Sequence, residues 1–262
     1  MNILDGLEAH ADDWLNVEPK GKPPYYRSKT AANELSRRTS PIAGTLDFLN
    51  ACYAQIHQDW SAAVAAGNWS RSNKTWRWKQ ILTLDKENDS PEVKLEQAIV
   101  NACGDDWSNQ MPTASGLVGS RANRRTAVDL VYREDATTYS FIELKVASNY
   151  PLYAAIEILM HGVLFVWSEN NQEKLGADLQ AQPVLAAQSV TLGVLAPREY
   201  YQGFDLTMLA TALNSGLDIF GEQNGVALRF EFCELGVDYS PDLEPGHVKS
   251  AIEDRRPIWV AE

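Results

Sequence analysis

Residues Thr126 to Ala147 read TAVDLVYREDATTYSFIELKVA, and the class of fold can be worked out from them. It contains two apolar runs that are typical of β-strands, and a polar turn separates them. Each run carries charge where a buried strand should be apolar, namely Asp129 in the first run and Glu143 with Lys145 in the second. Charged side chains are rarely buried unless they are paired. These three residues therefore need an explanation.

Neighbouring side chains of a strand point to opposite faces, so the apolar residues of each run share one face. The two apolar sets are Val128, Leu130 and Tyr132 in the first run, and Ile142, Leu144 and Val146 in the second. Matching them pairs Val128 with Leu144 and Leu130 with Ile142, and leaves a turn near Asp135. The two carboxylates then lie directly opposite each other, with Cβ atoms roughly 4.5–5.5 Å apart.

Two directly opposed carboxylates repel each other and destabilise a sheet. Either this face is open to water, as in a half-exposed hairpin with a solvated Glu–Lys face, or a cation lies between the carboxylates. A hard divalent cation such as Mg²⁺ takes oxygen ligands and uses one or two carboxylates together with substrate phosphate. A nearby ammonium can then orient water or stabilise phosphate charge. The apolar residues on both sides of the charges favour the cation.

With these residues the sequence resembles the PD-(D/E)XK nuclease superfamily. The motif of that family is an acidic residue on one strand and a (D/E)-x-K triplet on the adjacent strand, and here it reads Asp129 and Glu143-Leu144-Lys145. The family core runs helix, three strands, helix, strand, and the resemblance covers about residues 90–196. It implies an α/β (α+β) fold with a restriction-endonuclease-like central mixed sheet flanked by helices.

The resemblance also implies roles for the site residues. Asp129 and Glu143 would hold Mg²⁺ or Mn²⁺, and Lys145 would position the attacking water. Glu96, on the helix that precedes the strands, would be a further ligand or a base, although it equally fits a solvent-facing helix residue.

Two features depart from the family pattern. Val128 stands where the family has proline before the acidic residue. The first core strand would have to lie in NQMPTASGLVG, Asn109 to Gly119, which is a poor strand sequence.

Further residues are candidates for lining the site. Arg125 has the strand parity of Asp129 and could meet a substrate phosphate, but an exposed basic strand start is the alternative. Tyr153 and Glu157 lie four apart on the following helix, where they could line the site or form a buried hydrogen bond. His161 is interpreted as a hydrogen-bonded core histidine, because the four histidines lack ligand spacing.

The segment Trp69 to Lys79, WSRSNKTWRWK, alternates bases with tryptophans. Such a pattern can stack nucleobases and neutralise phosphates. The alternative, which we favour, is that the tryptophans are core residues of the N-terminal helices with snorkelling basic neighbours.

The chain divides by composition. Residues 1–85 are predicted to form a helical N-terminal region, with helices at Ala31–Arg38 and Thr45–Ala66, and residues 86–262 to form the α/β core with C-terminal additions. The helix Ser90–Cys103 has Pro91 in its first turn and is followed by a glycine. Downstream strands are predicted in SVTLGVLAP and GVALRFEFCEL.

The composition of the chain limits the classes of function that are expected. The 262 residues carry a net charge of −12, which opposes sequence-blind nucleic-acid binding. The three scattered cysteines fit a cytoplasmic location without disulfides. The start lacks signal-peptide features, and the apolar run Pro151–Trp167 is too short and too polar for a confident membrane span.

The sequence thus predicts a Mg²⁺- or Mn²⁺-dependent nuclease, a hydrolase of phosphodiester bonds with nucleic acid, first of all DNA, as its substrate. No membrane partner is expected, and a homodimer stays open. Two alternatives remain. One is a catalytically silent PD-(D/E)XK-fold binding or assembly module, and the other is an acidic protein-interaction protein in which the triplet is accidental.

Overall fold

The computed structural model describes residues 3–17, 22–69, 74–83, 90–114, 117, 126–236, 239–240 and 244–259. Its helices are, in chain order, α1 (Leu7–Leu15), α2 (Lys29–Ser36), α3 (Thr45–Ala65), α4 (Pro91–Cys103), α5 (Pro151–Asn170), α6 (Gln172–Leu175), α7 (Thr207–Asn224) and α8 (Pro245–Glu253). Its strands are β1 (Trp107–Pro112), β2 (Ala127–Arg133), β3 (Thr138–Leu144), β4 (Ser189–Ala196), β5 (Ala227–Glu234) and β6 (Arg256–Ile258).

The six strands form one mixed sheet in which spatial order follows chain order. Strands β1, β2 and β3 are antiparallel neighbours, β3, β4 and β5 run parallel, and β6 returns antiparallel to β5. Helix α5 connects β3 to β4, and α7 connects β4 to β5, as parallel neighbours require a long crossover. The predicted α/β class with a mixed sheet flanked by helices is therefore confirmed.

The two faces of the sheet bury separate apolar cores. The larger core contains residues of α1, α3, α5 and α7, so the N-terminal helices pack on the same face as the crossover helices. The smaller core lies under α4 and α8 on the opposite face. The helices predicted within the first 85 residues are confirmed as α2 and α3, whereas the division of the chain into two regions stays a prediction.

Helix α4 follows the signals in its sequence. Ser90 precedes it, Pro91 occupies its first turn, and Gly104 ends it with a φ of 84° that favours glycine. Its apolar stripe, of which Leu95 and Ile99 are fully buried, packs in the smaller core as predicted.

Helix α5 is apolar all round because it is enclosed on all sides. By length and composition it is the one described helix that could cross a membrane, but 89% of that window is buried inside the protein. It lies so close to β4 that a side chain at Gly162 would collide with Leu192. The interpretation of this run as a core helix is consistent with that burial.

The β2–β3 hairpin has the predicted register over most of its length. Leu130 pairs with Ile142, and the turn lies around Asp135. The predicted Val128–Leu144 pair is wrong, because the Leu144 N–H donates instead to the carboxylate of Asp129, at 3.0 Å.

The predicted shared face of β2 also fails at this point. Val128 packs in the larger core, while Leu130 packs in the smaller one. The alternation of faces therefore does not continue across Asp129, where pairing with β3 ends.

Strand β1 has a sequence that is unfavourable for a strand, because several of its buried side chains are polar. It begins at Trp107, before the predicted segment, and ends at Pro112. Its buried polar side chains pair with the backbone of the segment 74–83, which covers this sheet edge: the Ser108 hydroxyl donates to Lys79 O, and the Asn109 amide group both donates to and accepts from Ile81.

The tryptophan-rich segment belongs largely to the core. Trp76 is fully buried and stacks on Phe141, with ring centroids 5.6 Å apart. Trp78 packs edge-on against Tyr139. The predicted burial of Trp76 is thus confirmed, but its placement on an N-terminal helix is wrong, because residues 74–83 form no helix. Residues 70–73 lie outside the described residues.

Candidate functional site

The site forms where β2 and β3 separate. Asp129 and Glu143 lie near the ends of these strands, and Lys145 follows β3 directly. Beyond Glu143 the β3 backbone stays with β4, since the Lys145 N–H donates to Leu195 O at 3.0 Å. On the β2 side, the Asp129 carboxylate accepts the Leu144 N–H in place of a backbone carbonyl. The result is a notch in the sheet with charged side chains at its opening.

Lys145 is the cation of this notch and is almost fully buried. Its ammonium donates to the carboxylate of Glu143 and, at 3.3 Å, to that of Glu157 on α5. Its side chain is 9% exposed and that of Glu143 is 5% exposed. Burial lowers the pKa of Lys145, but the surrounding carboxylates more than offset this and raise it above its ordinary value. The ammonium therefore stays charged and cannot serve as a base.

The carboxyl groups of the site outnumber its ammonium. Burial raises the pKa of Glu143 well above its ordinary value, and the charges of Asp129 and Glu157 add to this. Burial likewise raises the pKa of Asp129 to about 6, against the opposing effect of Lys145. Without a further cation, the cluster thus retains protons near neutral pH.

Glu96 of α4 joins this cluster through a residue that sequence reasoning missed. The side-chain amide of Gln110 on β1 donates to Glu96 at 2.8 Å and to Asp129 at 3.3 Å. Burial and the charge of Asp129 raise the pKa of Glu96 to about 8. Glu96 is 1% exposed, so its interpretation as a solvent-facing residue is wrong.

Gln110 reaches both carboxylates because the backbone of β1 is distorted there. Its φ is 48°, a left-handed conformation that is uncommon for a residue other than glycine. Residues held in such conformations often lie at functional sites. A glutamine within a strand gives no periodic signal, so the sequence alone offered no means of finding it.

Tyr153 and Glu157 line the side of the notch formed by α5. The Tyr153 hydroxyl donates to Glu157 at 3.1 Å, so the two residues form the hydrogen bond of the alternative interpretation, although it is only partly buried. The same ring lies 5.7 Å from the Lys145 ammonium. Tyr153 thus contacts the charged cluster, whereas Arg125, the other predicted substrate-binding residue, lies outside the described residues.

The N-terminal region contributes one wall of an adjoining cavity of about 280 Å³. Arg27 lies over the Tyr153 ring, 4.9 Å from its centroid, and forms an ion pair with Glu8 of α1. The opposite wall includes Glu157 and His161 of α5. No sequence pattern predicted this arrangement, because it depends on how the 3-10 turn Tyr25–Arg27 packs between α1 and α5.

His161 behaves as the core histidine that was predicted. Its Nδ1 lies 3.1 Å from the Thr113 hydroxyl. Burial lowers the pKa of His161 to about 4, so the ring is neutral.

The donor set decides which metal the site could hold. No group of three or more His, Cys, Asp or Glu side chains in the described part of the chain is arranged to hold a metal ion. The site instead offers the carboxyl groups of Asp129 and Glu143, whose raised pKa values show that a cation would favour their ionised forms. Mg²⁺ typically uses one or two carboxylates and fills its other positions with water and phosphate. The residues present therefore fit such an ion.

Comparison with known proteins identifies no relative. No protein-family model, no curated protein and no solved structure matches this chain. The residues of the site are therefore the basis for a proposal of function.

Proposed function

We propose that this protein is a Mg²⁺- or Mn²⁺-dependent phosphodiesterase of the PD-(D/E)XK type that acts on nucleic acid, with DNA as the expected substrate. One observation carries the proposal. Asp129, Glu143 and Lys145 meet in a nearly closed notch where carboxyl groups outnumber the ammonium. Perturbed carboxyl groups around a specific charged partner are typical of functional sites.

The order of elements supports the restriction-endonuclease-like identity of the fold. Helix α4, the meander β1–β2–β3, helix α5 and strand β4 follow one another in the order of the family core. The acidic residue lies on β2, and the triplet begins on the adjacent strand β3 and ends directly after it, in keeping with the family motif.

Each residue of the site would have a role that follows from its chemistry. Asp129 and Glu143 would hold the divalent cation, which would activate water and stabilise phosphate charge. The permanently charged Lys145 would orient that water and stabilise the developing charge on phosphate. Glu96 would act as a base or a further ligand, held in position by Gln110. A cytoplasmic location and a homodimer stay predictions.

A second candidate function is a catalytically silent binding or assembly module. Two observations favour it. The Lys145 ammonium is already held by two carboxylates, and the described residues contain no three-residue metal group. In that case the cluster would be a remnant of a site, and no cation would be needed.

Metal binding separates the two candidates. A ligand that binds only the native state stabilises it by about 2.7 kcal/mol at a concentration 100 times its Kd. We expect millimolar Mn²⁺ to raise the Tm of the wild type and to have no effect on Asp129→Ala. Mg²⁺-dependent cleavage of labelled single-stranded and duplex DNA and RNA would be measured on the same samples. A Tm indifferent to Mn²⁺, together with intact substrates, would favour the silent module.

A further inference from the structure

Tyr200 follows β4, the strand that pairs with β3 at the notch. It belongs to the short 3-10 helix Arg198–Tyr201, which follows β4. The end of β4 is the neighbour of the end of β3, where Leu195 pairs with Leu144 and accepts the Lys145 N–H. The chain thus brings Tyr200 to the edge of the sheet at which the charged residues converge.

The hydroxyl of Tyr200 is buried without a hydrogen-bond partner among the described residues. A buried polar group left unpaired costs about 1–3 kcal/mol, so native proteins rarely keep one without a reason. The adjacent Tyr201 provides the contrast. Its hydroxyl lies 2.8 Å from Val194 O and 2.9 Å from Cys233 O, so it has partners within the fold.

The charges that act on Tyr200 are those of the site. Burial raises the pKa of its hydroxyl, and Lys145, Glu143 and Glu157 also influence that pKa. The phenol therefore stays protonated and can donate a hydrogen bond. Because the Lys145 ammonium is already shared by two carboxylates, an arriving anion would need another donor.

We propose that the Tyr200 hydroxyl donates a hydrogen bond to a phosphate oxygen of the nucleic-acid strand bound at the notch. This inference rests on the proposed function. Phosphate oxygens accept hydrogen bonds, and hydrogen bonds to charged groups are stronger than those between neutral groups. The unpaired donor is then a feature of the free protein, and substrate binding satisfies it.

The test compares two neighbouring Tyr→Phe changes, each of which removes a single hydroxyl. Tyr200→Phe should leave the Tm of the metal-free protein unchanged or raise it, because it deletes an unpaired polar atom. Tyr201→Phe should lower the Tm, because Val194 O and Cys233 O lose a donor. This readout needs no activity.

The second readout is binding of fluorescein-labelled DNA oligonucleotides, single-stranded and duplex, followed by fluorescence anisotropy in Ca²⁺. Tyr200→Phe should weaken binding roughly tenfold, as expected for a lost hydrogen bond to a charged group. Folded Tyr201→Phe protein should bind as the wild type does. Cleavage in Mg²⁺ should fall with Tyr200→Phe in parallel.

The outcomes are distinct. If Tyr200→Phe lowers the Tm as Tyr201→Phe does, the hydroxyl has a structural partner and the inference is overturned. If Tyr200→Phe keeps its stability and also binds and cleaves like the wild type, the inference fails while the proposed function stands. A wild type that neither binds nor cleaves DNA or RNA overturns both.

Discussion

The two ends of the β2–β3 hairpin use the same residue type in opposite ways. At the turn, the exposed Asp135 accepts the N–H groups of Thr137 and Thr138, at 2.7 and 2.9 Å, and both threonine hydroxyls. Hydrogen bonding, led by the Thr137 N–H, lowers the pKa of Asp135. At the open end, Asp129 accepts from the Leu144 N–H and the Gln110 amide and also shares a hydrogen bond with the Glu143 carboxyl group, yet burial raises its pKa to about 6.

The difference separates a structural carboxylate from a functional one. Asp135 is satisfied by residues two and three positions away, so its ionised form stabilises the turn. Asp129 depends on groups from β1 and β3 and shares its surroundings with other carboxyl groups, so its ionised form is disfavoured. A fold that keeps such a group lowers its own stability, which is common at functional sites.

The largest expected effect is at the open end, from Lys145→Ala. Removing one partner of a buried ion pair costs roughly 3–5 kcal/mol, because Glu143 and Glu157 keep their burial and lose their cation. Loss of one group that stabilises developing charge should also reduce cleavage by about 10²–10³-fold. Metal binding through Asp129 and Glu143 should largely persist. Urea unfolding, the Mn²⁺-induced rise in Tm and single-turnover cleavage would measure the three effects.

Lys249→Ala is the matched control for this change. Lys249 pairs with Glu253 at 3.9 Å on the exposed side of α8. Exposed pairs contribute about 0–1 kcal/mol, so its loss should hardly matter. A Lys145→Ala protein that cleaves as the wild type does would make Lys145 a structural residue alone.

The second expected effect is that an Asp→Asn change alters the free energy of unfolding in opposite directions at the two ends of the hairpin. Asp129→Asn should stabilise the metal-free protein by about 0.5–1 kcal/mol, because it removes a carboxylate whose ionised form burial disfavours while keeping an acceptor for the Leu144 N–H. Asp135→Asn should destabilise it, because a charged acceptor of several hydrogen bonds is lost. Urea unfolding of both variants in EDTA at neutral pH measures the contrast.

Leu144→Ala calibrates that experiment. Its side chain is fully buried in the smaller core, so truncation should cost roughly 2–5 kcal/mol. If Asp129→Asn destabilises the protein in the manner of Leu144→Ala, Asp129 serves the fold and the comparison of the two ends breaks down. Cleavage should be lost in Asp129→Asn in either case.

The smallest effect is a dependence of stability on pH. Burial and the charge of Asp129 raise the pKa of Glu96 to about 8, whereas an unfolded glutamate has a pKa of about 4.3. The folded state therefore holds a proton that the unfolded chain has released. This stabilisation is complete below about pH 4.3 and is lost as pH rises through about 8. We expect the Tm in EDTA to fall between about pH 6.5 and 8.5.

His161 sets the lower limit of this pH range. Burial lowers the pKa of His161 to about 4, so this residue destabilises the protein only as pH falls below about 6.5, where the unfolded chain takes up its proton. Glu96→Gln should reduce the slope above that value without removing it, because the pKa of Glu143 is also raised in the folded state, and exposed Glu253→Gln should leave the slope unchanged. A wild-type Tm that rises through the window would contradict the buried, proton-retaining state of Glu96.

Local patterns predicted much of the fold because they report which face of an element is buried. The helices α3, α4 and α5, the strands β4 and β5, and the Leu130–Ile142 register all follow from apolar periodicity and end signals. Strand β1 was poorly placed and β6 was missed, because their residues are polar or few. Their strand character comes from pairing with distant segments, which no local pattern contains.

That Asp129, Glu143 and Lys145 lie close together could be predicted from the chain alone, because they belong to two neighbouring strands joined by one short turn. The groups that surround them could not: Gln110 links Glu96 to Asp129, Glu157 shares the Lys145 ammonium, and the buried Tyr200 hydroxyl has no hydrogen-bond partner among the described residues. The two kinds of contact differ in the range of the forces behind them. Backbone geometry orders residues a few positions apart, whereas buried hydrogen bonds and charges act between any groups that packing brings together.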